Sequence, residues 1–512
     1  MSTDLFILIS LLLPLAGALC IALCCGPQSS SAARIALGVT LLGLVLHAWS
    51  ALPGINAGHE WVLNWLGEGE IKLRFVHDGL SLLFVMLTQV VVCIALLCSR
   101  QQGIGSRAYF ALIMVLQSAL FGVFISRHFL AWFLFWEMTL IPSWLLIRMW
   151  GSPAAPKAAL RFFIMTLGGS AFMLVGFLIL QAACGTMDFV ALSEKAAKHE
   201  IAPAVSALLG SWAGQGGMPL IWVALAVFLG LAVKLPVVPF HAWLPGAYAE
   251  APTPVTMLLT GLLSKMGVYG LLRMFLPIFS EALPSLAGLL AGLAVATVLL
   301  GALAALAQRD LKRMLAYSSV NHLGYCALAI AAVAGMEGGR AAMSSALSGL
   351  VLQAINHGII ATGLFYGISI LESRAHGKRG LDDFGGLRAK VPVFCGLYGI
   401  VIFASLGLPG LGGFIGEFLI FNGSFALMPL AAALSVIGLL LTAVFLLRMI
   451  RKVFAGPLPE SLAKWTDLNG GERLIFGVLV AIILLAGICP QLLLQYANPA
   501  IVSLLDLFSN VP

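Results

Sequence analysis

The chain has 512 residues, of which 61% are hydrophobic and only 10% charged, and its mean hydropathy is +1.04. That composition excludes an ordinary soluble globule. The net charge of +7 does not point to nucleic acid, because the Lys and Arg lie in loops, where they set orientation across a bilayer.

Apolar stretches of about 20 residues, each long enough to span a bilayer, fill nearly the whole chain. The reading gives an all-α polytopic membrane protein of about 14 transmembrane helices, over roughly 4–24, 32–51, 79–98, 108–126, 128–147, 158–181, 219–240, 253–276, 284–306, 311–334, 343–371, 391–424, 427–450 and 472–495. The first stretch lacks a basic leader and carries Asp4, so it reads as a retained helix. The loop at 52–77 alternates polar and apolar residues and predicts a short hairpin. Asp78, in VHDGLS, is placed to cap the third helix. The segment 188–201 suits a short amphipathic surface helix. Between spans, 19 Lys and Arg fall on one side and seven on the other, which predicts both termini outside and an even helix count.

Two apolar segments are broken in matching ways. One is LAVKLPVVPFHAWLP (231–245) and the other ASLGLPGLGGFIGEFL (404–419). Proline removes a backbone donor and glycine loosens a helix, so such breaks belong inside protein or along a wet cavity. Glu137 precedes Lys234 by 97 residues, and His322 precedes Glu417 by 95. Paired breaks and matched spacing predict two inverted five-helix repeats. The organisation is then 1–107 for helices one to three, 108–276 for the first repeat, 277–456 for the second inverted repeat, and 457–512 for helix fourteen.

Four central charges stand in these runs: Glu137, Lys234, Lys265 and Glu417. Each costs about 2.5–3.5 kcal/mol at mid-bilayer on insertion scales. Lys234 is the natural cation for Glu137, and the two read as a coupled pair; the plainer alternative is a static salt bridge tying two helices. Lys265 has snorkelling to an interface as its alternative. Glu417 reads as a helix-terminus group or as the last site of a proton path. His241, His322 and His357 lie between the lysines and Glu417, and imidazole suits proton shuttling near neutral pH. Single buried histidines also serve as structural residues. Ser264, Tyr317, Ser318, Ser319, Asn321, Gln353 and Asn356 fit bridging waters or helix-to-helix glue. Arg148, Arg161 and the run DLKRMLAYSS (310–319) read as interfacial. The nine Cys form no CxxC pair, there is no HExxH, P-loop or nucleotide fingerprint, and no metal, redox cofactor or nucleotide is expected in this chain.

The stretches FLFWEMTLIPSWLLI, AVKLPVVPFHAWLP, EAPTPVTMLLTGLLSKMGVYGLLRM, DLKRMLAYSSVNHLGY and ASLGLPGLGGFIGEFLIFNGSF resemble the antiporter-like subunits of respiratory complex I, the proton-pumping NADH:quinone oxidoreductase. The resemblance spans about 75–510. It implies 14 helices, with helices seven and twelve broken, and a central proton path at Glu137, Lys234, Lys265 and Glu417. His322 and His357 match the family's histidine positions. The length, with no lateral helix expected after residue 512, and the acid at Glu417 fit its M-type. The chain departs from the family's LPDAH stretch, carrying Gly246 for the Asp and Tyr248 for the His.

The resemblance implies a pumping subunit without redox chemistry of its own, in a bacterial inner membrane. Its partners would be L-type and N-type neighbours and the lipid bilayer, with no nucleic acid, and flavin, iron–sulfur clusters and quinone would sit in partner subunits. The alternatives are a subunit of a multisubunit sodium/proton antiporter or membrane-bound hydrogenase, a stand-alone solute transporter, and a membrane scaffold. The last does not account for so many buried charges.

Overall fold

The structure is a computed structural model that describes residues 3–51, 59–66, 71–210, 219–336 and 338–509. Helices α1 (Thr3–Cys24) and α2 (Ser30–Ser50) come first. An antiparallel hairpin follows, β1 (His59–Leu66) with β2 (Ile71–His77); the expected hairpin is thus present, and 52–58 and 67–70 lie outside the described residues. Asp78 then caps α3 (Gly79–Gln101). Its carboxylate accepts from Ser81 N at 2.9 Å, while the Ser81 hydroxyl accepts from Asp78 N at 2.8 Å.

Next are α4 (Arg107–Ile125), α5 (Phe129–Trp150) and α6 (Ala155–Cys184). The surface segment is two short helices, α7 (Phe189–Ala197) and α8 (Ile201–Leu209). A broken segment follows as α9 (Pro219–Lys234) and α10 (Leu244–Glu250). Then come α11 (Thr253–Ile278), α12 (Leu283–Ala307), α13 (Leu311–Ala334) and α14 (Arg340–Arg374). The second broken segment is α15 (Pro392–Ser405) and α16 (Gly412–Leu427), followed by α17 (Pro429–Phe454) and α18 (Gly470–Ile488).

Among the described residues the chain is all-α apart from the hairpin. Among the described residues, eleven helices are long and apolar enough to cross a membrane, and α9, α15 and α16 are shorter apolar helices, the pieces of the two breaks. The last segment differs from the sequence reading. Instead of one helix over 472–495, α18 stops at Ile488, Cys489 and Pro490 turn the chain, and a separate helix, α19 (Gln491–Ser509), begins. Pro490 cannot continue a helix that needs its N–H. Helix α19 crosses the hairpin end of the bundle. Tyr496 donates to Ala51 O at 2.9 Å, and Arg340 meets Asp506 at 2.5 Å.

Helix α9 packs on α6 and α16 packs on α14. Glycines allow the second approach: a Cβ on Gly416 would stand 2.8 Å from Gln353 N, and one on Gly349 would stand 2.5 Å from Ile420 N. Helices α14 and α16, which carry His357 and Glu417, are therefore held backbone to backbone.

Candidate functional site

Both breaks pair several of their backbone groups, as non-helical chain at membrane depth requires. Helix α9 ends at Lys234 because Pro236 and Pro239 cannot extend it. Trp243 Nε1 donates to Val233 O at 2.8 Å, Val237 N to Ala232 O at 2.9 Å, and Val238 N to Thr297 Oγ1 of α12 at 2.9 Å. In the second break, Leu408 N donates to Phe403 O at 3.1 Å and Asn356 Nδ2 to Gly412 O at 2.6 Å. Helix α16 then starts at Gly412, which sets Glu417 within its second turn.

Four of the seven predicted site residues form one contiguous line. Lys265, wholly buried, donates from Nζ to Thr260 O at 2.6 Å and lies 2.7 Å from His357 Nδ1. The His357 and His322 rings are 5.6 Å apart between centroids. His322 Nδ1 is 3.0 Å from Glu417 Oε1, which also accepts from Gln353 Nε2 at 3.3 Å. The line draws on α11, α14, α13 and α16.

Two features of this line were not read from the sequence. Helix α11 widens into a π-helical turn over Leu259–Leu263, just before Lys265. Such turns recur at functional sites because they free a carbonyl from the regular ladder, and here Thr260 O also receives the lysine. Ser405, the last residue of α15, lies 3.2 Å from His322 Nε2. A serine donating there leaves the ring N–H on Nδ1, aimed at Glu417. No periodicity signals either, since both depend on how the helices meet.

The first half is arranged differently from the expected ion pair. No nitrogen–oxygen contact within 4.0 Å joins Glu137 and Lys234. Lys234 Nζ lies 5.4 Å from the Trp136 ring and 5.6 Å from the Phe162 ring, a cation held between aromatic faces. Its Nζ and Glu137 Oε1 are both buried without a hydrogen-bond partner. Glu137 sits on the helix face of Leu134 and Ile141, which are 51% and 57% exposed. It therefore lies toward the flank of the bundle rather than its centre.

His241 is outside the contiguous line. It is half-buried in the first break, its ring 6.3 Å from that of Tyr317, and its Nδ1 has no hydrogen-bond partner. Of the other polar residues, Thr260 meets Ser319 at 3.2 Å and Asn321 donates to Thr442 at 2.6 Å. Lys312, read as interfacial, is buried instead and paired with Glu372 at 3.1 Å. Among the described residues, no group of three His, Cys, Asp or Glu side chains could hold a metal ion.

At the hairpin end, Asp78 takes Arg127 at 2.7 Å and also Arg273. Burial pushes its carboxyl up, but the Arg273 and Arg127 guanidiniums outweigh that and hold it well below the usual carboxylate range.

Residues 126–442 match the family model described as NADH:quinone oxidoreductase/Mrp antiporter, transmembrane. NADH-quinone oxidoreductase subunit M of Rhodobacter capsulatus is 33% identical over 503 residues, covering 96% of this chain and 95% of that protein. NAD(P)H-quinone oxidoreductase chain 4 1 of Synechococcus sp. (strain JA-3-3Ab) is 36% identical over 501 residues, covering 94% and 90%. A chain of respiratory complex I from Thermus thermophilus with bound NADH is similar with a TM-score of 0.85 and 26% identity, over 98% of this chain and 99% of that one. A chain of the Mrp complex from Dietzia sp. reaches 0.82 at 20% identity, over 98% and 97%, a likeness of fold alone.

Proposed function

The chain belongs to the NADH:quinone oxidoreductase/Mrp antiporter transmembrane family, and we propose from that premise that it is the M-type proton-translocating membrane subunit of an NADH:quinone oxidoreductase. Relatives that match nearly its full length at 33% and 36% identity bear quinone-oxidoreductase names, which favours this reading over an antiporter or hydrogenase subunit. The observation that carries the mechanism is the line Lys265–His357–His322–Glu417, whose members are within hydrogen-bond reach or one short hop of each other.

In this reading a proton on Lys265 passes to His357 Nδ1, crosses to His322, and reaches the Glu417 carboxylate. Ser405 holds His322 in the tautomer that faces Glu417. Glu137 and Lys234 are the remaining members of the path and stand apart from this line, Lys234 inside the bundle and Glu137 toward its flank. Redox chemistry in partner subunits supplies the energy. Residues 108–276 and 277–456 are read as the two inverted repeats, and the membrane as a bacterial inner membrane with the hairpin end outside. Glu417 then delivers to the outer face.

The test is Glu417→Gln, which keeps shape and removes ionisation. In sealed membrane vesicles it should lower NADH-driven proton uptake at least twofold with normal assembly of the complex, and Glu417→Asp should retain part of it. Wild-type pumping by the Gln variant would remove Glu417 from the path.

A further inference from the structure

At the hairpin end of the bundle a cavity of about 270 Å³ lies between the start of α3, the end of α11, the surface helix α7 and α19. Two arginines line it, Arg127 from the link between α4 and α5 and Arg273 from a second π-helical turn of α11, Leu271–Phe275. Their side chains are only 5% and 17% exposed. The relay uses neither of them.

A guanidinium carries five N–H donors. Arg127 donates from Nη1 to the Tyr269 hydroxyl at 2.9 Å and from Nη2 to Asp78 Oδ2 at 2.7 Å. Arg273 donates from Nε to the same hydroxyl at 3.4 Å and from Nη2 to the same Asp78 oxygen. Tyr269 in turn donates to Phe124 O. Two of five donors are thus engaged on each arginine, and the others are left beside the cavity. The charges do not balance either. One carboxylate stands between two guanidiniums, so the cluster keeps a net positive charge. A single arginine would satisfy Asp78, and a second guanidinium is costly to bury unless another anion answers it. The Tyr269 ring, 5.8 Å from Arg273 Cζ, answers it only in part. Glu194, the carboxylate in the cavity lining, belongs to an exposed residue, where water and salt screen it.

The rest of the lining selects among anions. Leu80, Leu272, Pro277, Leu504 and Leu507 form an apolar wall beside the arginines. A soluble anion gains nothing from such a wall. A phospholipid presents both surfaces at once, a phosphate and the first carbons of its tails, and paired guanidiniums match phosphate oxygens in shape as well as charge. We propose that this cavity binds the phosphate group of an anionic phospholipid from the leaflet at the hairpin end. The phosphate completes the donors of Arg127 and Arg273 and neutralises the surplus charge. The lipid thereby ties α7 and α19, which lie over the cavity, to the ends of α3 and α11.

The test uses the assembled complex in detergent and a phosphatidylglycerol that carries a photoreactive diazirine next to its phosphate. After illumination, adducts are located by peptide mass spectrometry. They are expected within 189–194 and 500–507, and excess unmodified phosphatidylglycerol should remove them where the same excess of phosphatidylcholine does not. Two substitutions change the charge at the cavity without touching the Asp78 bridge. Ser503→Glu, on the exposed part of α19 that lines the cavity, should lower the adduct yield about fivefold, the effect of one charge at a lipid headgroup, while Ser503→Gln leaves it unchanged. Glu194→Gln should raise the yield. Absence of adducts in both segments overturns the proposal, as does a yield that Ser503→Glu leaves unchanged. Removal of the adducts by inorganic phosphate as effectively as by phosphatidylglycerol would assign the cavity to a soluble anion and overturn the lipid.

Discussion

Gly407 offers a way to disturb the Glu417 carboxylate without touching it. It lies in the second break at φ +73°, and a Cβ there would stand 2.7 Å from Glu417 Oε2, closer than the 3.0 Å below which Cβ contacts are essentially never seen. The carboxylate is the free end of a side chain, so it yields. A shift of about 0.5 Å stretches its 3.0 Å bond to His322 to roughly 3.5 Å, the edge of hydrogen bonding. A bond to a charged group contributes about 1.5–3 kcal/mol, so transfer at that step should slow by roughly 10- to 100-fold. The backbone strain of Gly407→Ala, about 1–2 kcal/mol, is matched by Gly410→Ala, since Gly410 has φ +90° and nothing within 4 Å of the added carbon. The pair of variants therefore separates strain from contact. In sealed vesicles, Gly407→Ala should pump far more slowly than Gly410→Ala while the two assemble and oxidise NADH alike. Equal pumping by the two would refute the link between the break and the carboxylate.

Lys234→Arg should pump poorly, because a guanidinium does not release a proton in the useful range; wild-type proton uptake by this variant would make Lys234 a static charge. Asp78 predicts an acid limit to stability. Its carboxyl is held down by Arg273 and Arg127 against the effect of burial, so its contribution is complete above the unfolded value of about 4 and is lost as pH falls through the depressed folded value. Thermal unfolding in detergent should thus be flat in this respect from pH 7 to 5 and weaken below about pH 4, and Asp78→Asn should be less stable at pH 7 with a shallower acid slope; an unchanged slope would count against the bridge. A single Cys at position 378, in a Cys-free background, should resist an impermeant thiol reagent added outside, and ready labelling would reverse the assigned orientation.

The fold was legible wherever the membrane penalises the alternative. Charges at 137, 234, 265 and 417 stood out because apolar residues were available at each place, and the breaks stood out because proline and glycine are costly in a spanning helix. The order Lys265, His357, His322, Glu417 was not legible, because it depends on α11, α13, α14 and α16 meeting at one depth. His241 looks equivalent to the other histidines in sequence, yet the first break turns it toward Tyr317. The separation of Glu137 from Lys234 was hidden for the same reason: chain order supplies partners but not distances. The burial of Lys312 is not legible, because a basic residue at a helix start usually faces headgroups and only the fold brings Glu372 to it. The separateness of α19 is hidden because apolar residues run on past Pro490, and the split follows from one missing N–H.

The bond from Val238 N to Thr297 Oγ1 makes the first break a latch whose catch is mounted on α12. Straightening or swinging that segment frees a buried N–H, at a cost of about 1–3 kcal/mol, unless α12 moves with it. A hinge at residues 235–243 therefore does not flex independently of α12. A swing of the first break thus either carries α12 with it or leaves the Val238 N–H without its partner.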